Sequence, residues 1–168
     1  MTKLNAAIER TDAKLRYAGV HLKELQVIRR GGSDFDKAHQ ESFLFHLFGV
    51  RDALLQEMNF FHSCGLPIEK VSRWNLEQAL KASGKSSPAL DALVQLEDDP
   101  QSWLSCLSDM RHHSTHRKNV GRVYYLGRDE TFLKDTRNNQ EIPQDFVLLF
   151  HDWYSAMEKL MAHLRTLM

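Results

Sequence analysis

The chain predicts an all-α fold, a helical bundle of five to six helices with a small β-hairpin inserted before the last helix. Three observations lead there. Long segments repeat apolar residues at near-helical spacing. Clusters of glycine, proline and serine cut those segments into helix-sized pieces. One stretch, about 121–134, changes instead to short β-branched and aromatic runs.

Taken in order, Leu4, Ile8, Leu15, Leu22, Leu25 and Ile28 place a first helix over 2–30, ended by Gly31-Gly32. A second helix spans 36–63. Phe43, Leu47, Val50, Leu54 and Met58 form one stripe, and Leu44, Phe48, Leu55 and Phe61 widen it, so this helix is expected at the centre of the bundle. Gly65-Leu66-Pro67 stops it. A third helix is expected over 68–82. Ser87 then caps, and Pro88 opens, a short fourth helix over 89–96. A fifth starts near Pro100 and carries Trp103, Leu104, Leu107 and Met110. Arg122-Val123-Tyr124-Tyr125-Leu126 and Thr131-Phe132-Leu133, separated by Gly127-Arg128-Asp129-Glu130, read as the hairpin. Asn138-Asn139 reads as a loop. Pro143 opens a last helix with an apolar face of Phe146, Leu149, Phe150, Trp153, Met157, Leu160 and Leu164.

A length of 168 residues suits one domain, 1–168, large enough for a real core. Lysine plus arginine and aspartate plus glutamate number 22 each, so formal net charge is zero. That excludes the strongly basic proteins that coat nucleic acid, while leaving room for a local basic patch. No apolar run reaches membrane-spanning length. The first residues, Met-Thr-Lys-Leu-Asn-Ala-Ala-Ile-Glu-Arg, mix acid and base where a signal peptide needs an apolar core, so a cytoplasmic location is expected. Cys64 and Cys106 lie far apart within helical patterns and are expected as reduced thiols.

The chemistry concentrates in Asp109-Met110-Arg111-His112-His113-Ser114-Thr115-His116-Arg117-Lys118. Imidazole gives and takes protons near neutral pH, and guanidinium fits phosphate. On a helical wheel, Trp103, Leu107, Met110 and Ser114 share the face that meets the bundle. His112 and His116 point to roughly the opposite side, with Arg111 on the flank. Arg111 and His116 are separated by about 140° of helical rotation. They converge around a substrate, at a bent or ended helix, or in a cleft shared with a second subunit.

The spacing Arg111-x4-His116 resembles the Arg-x(4–6)-His motif of the HEPN superfamily of small all-α domains, and His112 is the polar residue that family carries after its arginine. The same spacing occurs at Arg16-x4-His21, but Tyr17 follows that arginine and the pair lies in the first helix. The resemblance covers the six-residue motif strictly, and the rest of the chain only as an all-α bundle. It implies a metal-independent endoribonuclease, a toxin or antiviral defence factor, acting on RNA as a homodimer with a composite site and using no cofactor. Arg111, His112 and His116 would be catalytic. Arg117, Lys118 and Arg122 would attract the RNA backbone. An antitoxin or nucleotidyltransferase is the partner the family suggests, and no membrane is involved.

Three other readings stand beside it. A HEPN-like domain can be a non-catalytic dimerisation, nucleotide-binding or partner-binding module. The cations can simply favour the negative end of a helix dipole. His112 and His116, at i,i+4, can ligate a metal in a helical-bundle hydrolase if His46, His62 or His151 approaches to complete the set. Arg51, Asp52 and Glu57 read as the polar face of the second helix, or as a source of a carboxylate that orients a catalytic histidine. Ser114 and Thr115 are expected to bond back to the preceding turn.

Overall fold

The computed structural model describes residues 2–27, 33–116 and 120–168, with no side chain described at His116. Among these residues the chain forms six α-helices and one three-stranded antiparallel sheet: α1 (Lys3–Val27), α2 (Asp34–Phe61), α3 (Arg73–Ala82), α4 (Pro88–Asp98), α5 (Trp103–His116), β1 (Arg122–Tyr124), β2 (Thr131–Lys134), β3 (Glu141–Asp145) and α6 (Phe146–Leu167). The expected end of the first helix at Arg30 and the Gly31-Gly32 break lie outside the described residues.

In α1 the residues Ala7, Thr11, Leu15, Ala18, Leu22 and Leu25 are buried, at steps of four or three. That spacing keeps one narrow seam against a neighbouring helix. The neighbour is α2, which also touches α3, α4, α5 and α6. Phe43, Leu44, Leu47, Val50, Leu54, Leu55 and Met58 are buried on more than one side of α2, as expected of a central helix. Ser33 caps it, accepting a hydrogen bond from the Asp36 amide. After its end, Ser63 and Gly65 take positive φ, and the Asn59 side chain bonds both the amide and the carbonyl of Leu66. The reversal at Gly65-Leu66-Pro67 is therefore built rather than loose.

Three helix starts differ from expectation by three residues or more, each for a local reason. The third helix does not run from Ile68. A single 3-10 turn occupies Ile68–Lys70, and α3 starts only after Ser72, whose hydroxyl accepts from the Asn75 amide. The fifth helix starts at Trp103 rather than Pro100, because Ser102 Oγ accepts from the Ser105 amide and fixes the first turn there. Pro143 does not open the last helix. It lies in β3, an edge strand, where a missing N–H removes no ladder bond on the solvent side. Asp145 is the cap of α6, accepting from the Val147 and Leu148 amides. The expected hairpin is thus two strands of a three-stranded sheet in the order β1-β2-β3, with Arg122 opposite Leu133 and Lys134 opposite Glu141.

Phe146, Phe150 and Trp153 bring α6 onto the bundle, with the Phe150 ring stacked on Phe43 at 4.4 Å. Each such burial is worth about 1.5–3 kcal/mol. Gly19 permits the close approach of α6 to α1, since a Cβ there would meet the Tyr154 hydroxyl at 3.1 Å. Buried ions cross-link the helices. Arg165 of α6 bonds both oxygens of the fully buried Glu57 in α2 and reaches Asp12 of α1 at 2.9 Å. Arg51 of α2 forks onto Glu97 of α4. Glu57 and Arg51 are therefore structural ions, not groups that orient a histidine.

Candidate functional site

The C-terminal half of α5 carries the histidine cluster. Leu104, Cys106, Leu107 and Met110 are buried and fix the helix against the bundle. That leaves Arg111, His113 and Ser114 half-buried and His112 exposed. Thr115 Oγ1 donates to the Arg111 carbonyl at 2.8 Å, so this hydroxyl bonds back to the preceding turn as expected. His116 is the last residue of α5, and Arg117 and Lys118 lie outside the described residues. The helix is continuous from Trp103 to His116, so no break separates Arg111 from His116 along it.

Arg111 has unusual surroundings. Its guanidinium lies 5.6 Å from the centre of the Phe48 ring, within cation–π range. Its Nε is buried and has no hydrogen-bond partner. Five other arginines, Arg51, Arg73, Arg122, Arg137 and Arg165, each sit on at least one carboxylate. Among the described residues Arg111 makes no such pair. A half-buried cation held by an aromatic face retains most of its donors for an incoming anion.

Arg122 is different. Its side chain is 7% exposed and its guanidinium forks onto Asp36, which is fully buried, and bonds Gln40. It also stacks 4.4 Å from the Phe146 ring. These contacts tie β1 to the first turns of α2 and leave little of the group for a phosphate backbone. It reads from its surroundings as an anchor of the sheet.

The three histidines considered as further metal ligands are dispersed. His46 lies in α2, His62 follows the end of α2 with its Nε2 2.8 Å from Ser87 Oγ, and His151 is exposed in α6. Among the described residues, no group of three or more His, Cys, Asp or Glu side chains is arranged to share an ion. Cys106 is buried, with its thiol pushed up to about 11 by desolvation first and by Asp135 second; Cys64 is half-buried and shifted the same way by burial. Neither is an activated thiolate.

The sequence reading missed a second histidine group. His21 of α1 and His39 of α2 bring their Nδ1 atoms to 3.1 Å, and His46 stacks on His21 with ring centres 5.5 Å apart and planes 5° from parallel. Tyr17, Phe35 and Phe45 surround them edge-on or tilted. His39 and His46 stand two helical turns apart on one face, the signal that was available. Their partner from α1 follows only from pairing the two helices. A separate apolar groove of about 870 Å³ lies between the first turns of α1 and the end of α2, lined by Leu4, Ala7, Ala53, Phe60 and Leu66 among others, with none of its lining residues on α5.

Set against family models, curated proteins and solved structures, the chain finds no match in any of the three. No helix among the described residues is long and apolar enough to cross a membrane.

Proposed function

We propose that this protein is a metal-independent endoribonuclease of HEPN type, acting in the cytoplasm as a homodimer. The observation that carries the reading is Arg111. Among the described residues it is a half-buried arginine left without a carboxylate, it stands at the histidine-rich end of α5, and its position matches the arginine of the family motif. The mostly helical architecture is compatible with such a domain. Toxin or antiviral activity, and an antitoxin or nucleotidyltransferase partner, belong to the same reading.

The chemistry needs no metal, because the nucleophile is part of the substrate. His116 takes the proton of a ribose 2′-hydroxyl as that oxygen attacks the adjacent phosphorus. The bond from phosphorus to the 5′ oxygen breaks, and that oxygen takes up a proton, leaving a 2′,3′-cyclic phosphate and a free 5′-hydroxyl. Arg111 holds the non-bridging oxygens and stabilises the negative charge of the phosphorane. His112, exposed one residue on, orients the phosphate. Arg117 and Lys118 supply the backbone attraction.

The test is cleavage of single-stranded RNA in EDTA by tag-free protein. Arg111→Ala and His116→Ala should each lower kcat by at least about 100-fold, the lower range for losing a positioned acid–base or charge-stabilising group, with unchanged circular dichroism. Arg16→Ala should cleave normally. Undiminished cleavage by both α5 variants would remove the assignment.

A further inference from the structure

From the facing imidazoles of α1 and α2, we infer that the protein carries a transition-metal site in which His21 and His39 ligate one divalent ion of the zinc, nickel or copper class. Three features of the structure meet there. First, the two Nδ1 atoms are 3.1 Å apart. Nitrogens that far apart and each about 2.05 Å from a common ion subtend roughly 98° at it, between octahedral and tetrahedral angles. The same contact in the ion's absence requires one imidazole to donate to the other, so the metal would take the place of that proton.

Second, the ligands come from two packed helices rather than from one mobile segment. α1 and α2 run against each other along their length, and the His46 ring stacks on that of His21. Phe35, at 4.4 Å from His39, restrains the second imidazole in the same way. Ring orientation is thereby set before any ion arrives, which lowers the ordering cost of binding. Both ligands remain half-exposed, so an ion and its waters have access.

Third, the local chemistry suits a neutral-nitrogen site. Glu24, one turn along α1, contributes negative charge at His21. The nearby cations Lys14 and Arg10 act on His46. Imidazole ligands favour copper, nickel and zinc over magnesium or calcium. With two protein ligands, the remaining positions belong to water. The ion would act as a clip between α1 and α2. It is separate from the chemistry proposed for α5, which proceeds in EDTA.

Titration of tag-free protein with Zn2+, followed by calorimetry and by thermal melting, tests the site. Wild-type protein should bind one equivalent and melt at higher temperature with Zn2+ than with EDTA. His21→Ala and His39→Ala should each weaken binding by at least about 10-fold, the low end of what is lost when even a group behind a ligand is removed. A double His112→Ala, His116→Ala variant should bind as wild type does. Circular dichroism and the EDTA melting temperature show whether each variant is folded, and His21→Asn and His39→Gln serve where an alanine variant is not. Absence of saturable zinc binding in wild-type protein would overturn the inference. So would binding that survives in the His21 and His39 variants, or that disappears with His112 and His116.

Discussion

His46 shows how far a single side chain can be driven by its surroundings. Burial first, and then Lys14, His21 and Arg10, push its pKa down to about 4, and its Nδ1 is buried without a hydrogen-bond partner. His21 and His62 are lowered as well, by burial first. Each of these groups has a folded-state pKa below the value near 6.5 of an unfolded histidine. The unfolded chain therefore binds more protons on acidification, and the stability present above about pH 6.5 is lost as pH falls toward about 4. The melting temperature should drop over that interval, and it should drop less in His46→Gln than in wild type. An equal drop in both would show that His46 is not among the groups responsible. Nothing in the one-dimensional pattern around His46 announces this, because three of its neighbours lie on α1. The same limit separates the arginines. Arg111 and Arg122 look alike as letters in a basic stretch, yet the partner of Arg122, Asp36, is 86 positions away.

At the scale of elements, the helices that bury long apolar stripes were legible. The second and sixth repeat large residues every three or four positions, and their faces in the structure are the ones the spacing marks. Boundaries set by a single serine or aspartate were less so. Ser72, Ser102 and Asp145 each fix a helix start by accepting one or two backbone amides, and each stands beside another plausible start signal. Proline 143 drew the last helix three residues too early, since its ring fits an edge strand as readily as a first helical turn. The third strand was hidden for a related reason: Glu141-Ile-Pro-Gln-Asp has no β-branched or aromatic run to mark it, and it pairs because β2 already presents an open edge. The sheet in turn is held to α2 by Arg122. Arg122→Ala leaves the fully buried Asp36 without that partner, and breaking such a pair costs about 3–5 kcal/mol. Denaturant unfolding should show that loss. A variant that keeps wild-type stability but binds RNA more weakly would instead make Arg122 the backbone contact the sequence suggested.

For the molecule as a whole, the charge balance and the distribution of ions agree. Cations and carboxylates are equal in number, and many are spent in pairs that join helices: Arg165 with Glu57 and Asp12, Arg51 with Glu97, Arg73 with Asp98. Removing one member of a buried pair is costly, so Glu57 with Arg165 and Glu97 with Arg51 specify which helix meets which, while the exposed Arg73–Asp98 pair adds little. Against that background, Arg111 is, among the described residues, a half-buried arginine with no carboxylate, and it falls in the segment that holds His112, His113 and His116. The candidate site was legible as a segment for that reason. Its assembly was not, because Arg111 and His116 stand five steps apart on one unbroken helix, and meeting around a substrate, at the helix end or across a second chain all fit that spacing. A two-fold dimer would place the arginine of one protomer with the histidine of the other. Mixing inactive Arg111→Ala protein with inactive His116→Ala protein, after subunit exchange, tests this directly. Random pairing gives half mixed dimers, each with one intact site of two, so RNA cleavage should recover to about a quarter of the wild-type rate. A mixture as inactive as its two parents, beside an active wild type, would contradict a site shared between protomers.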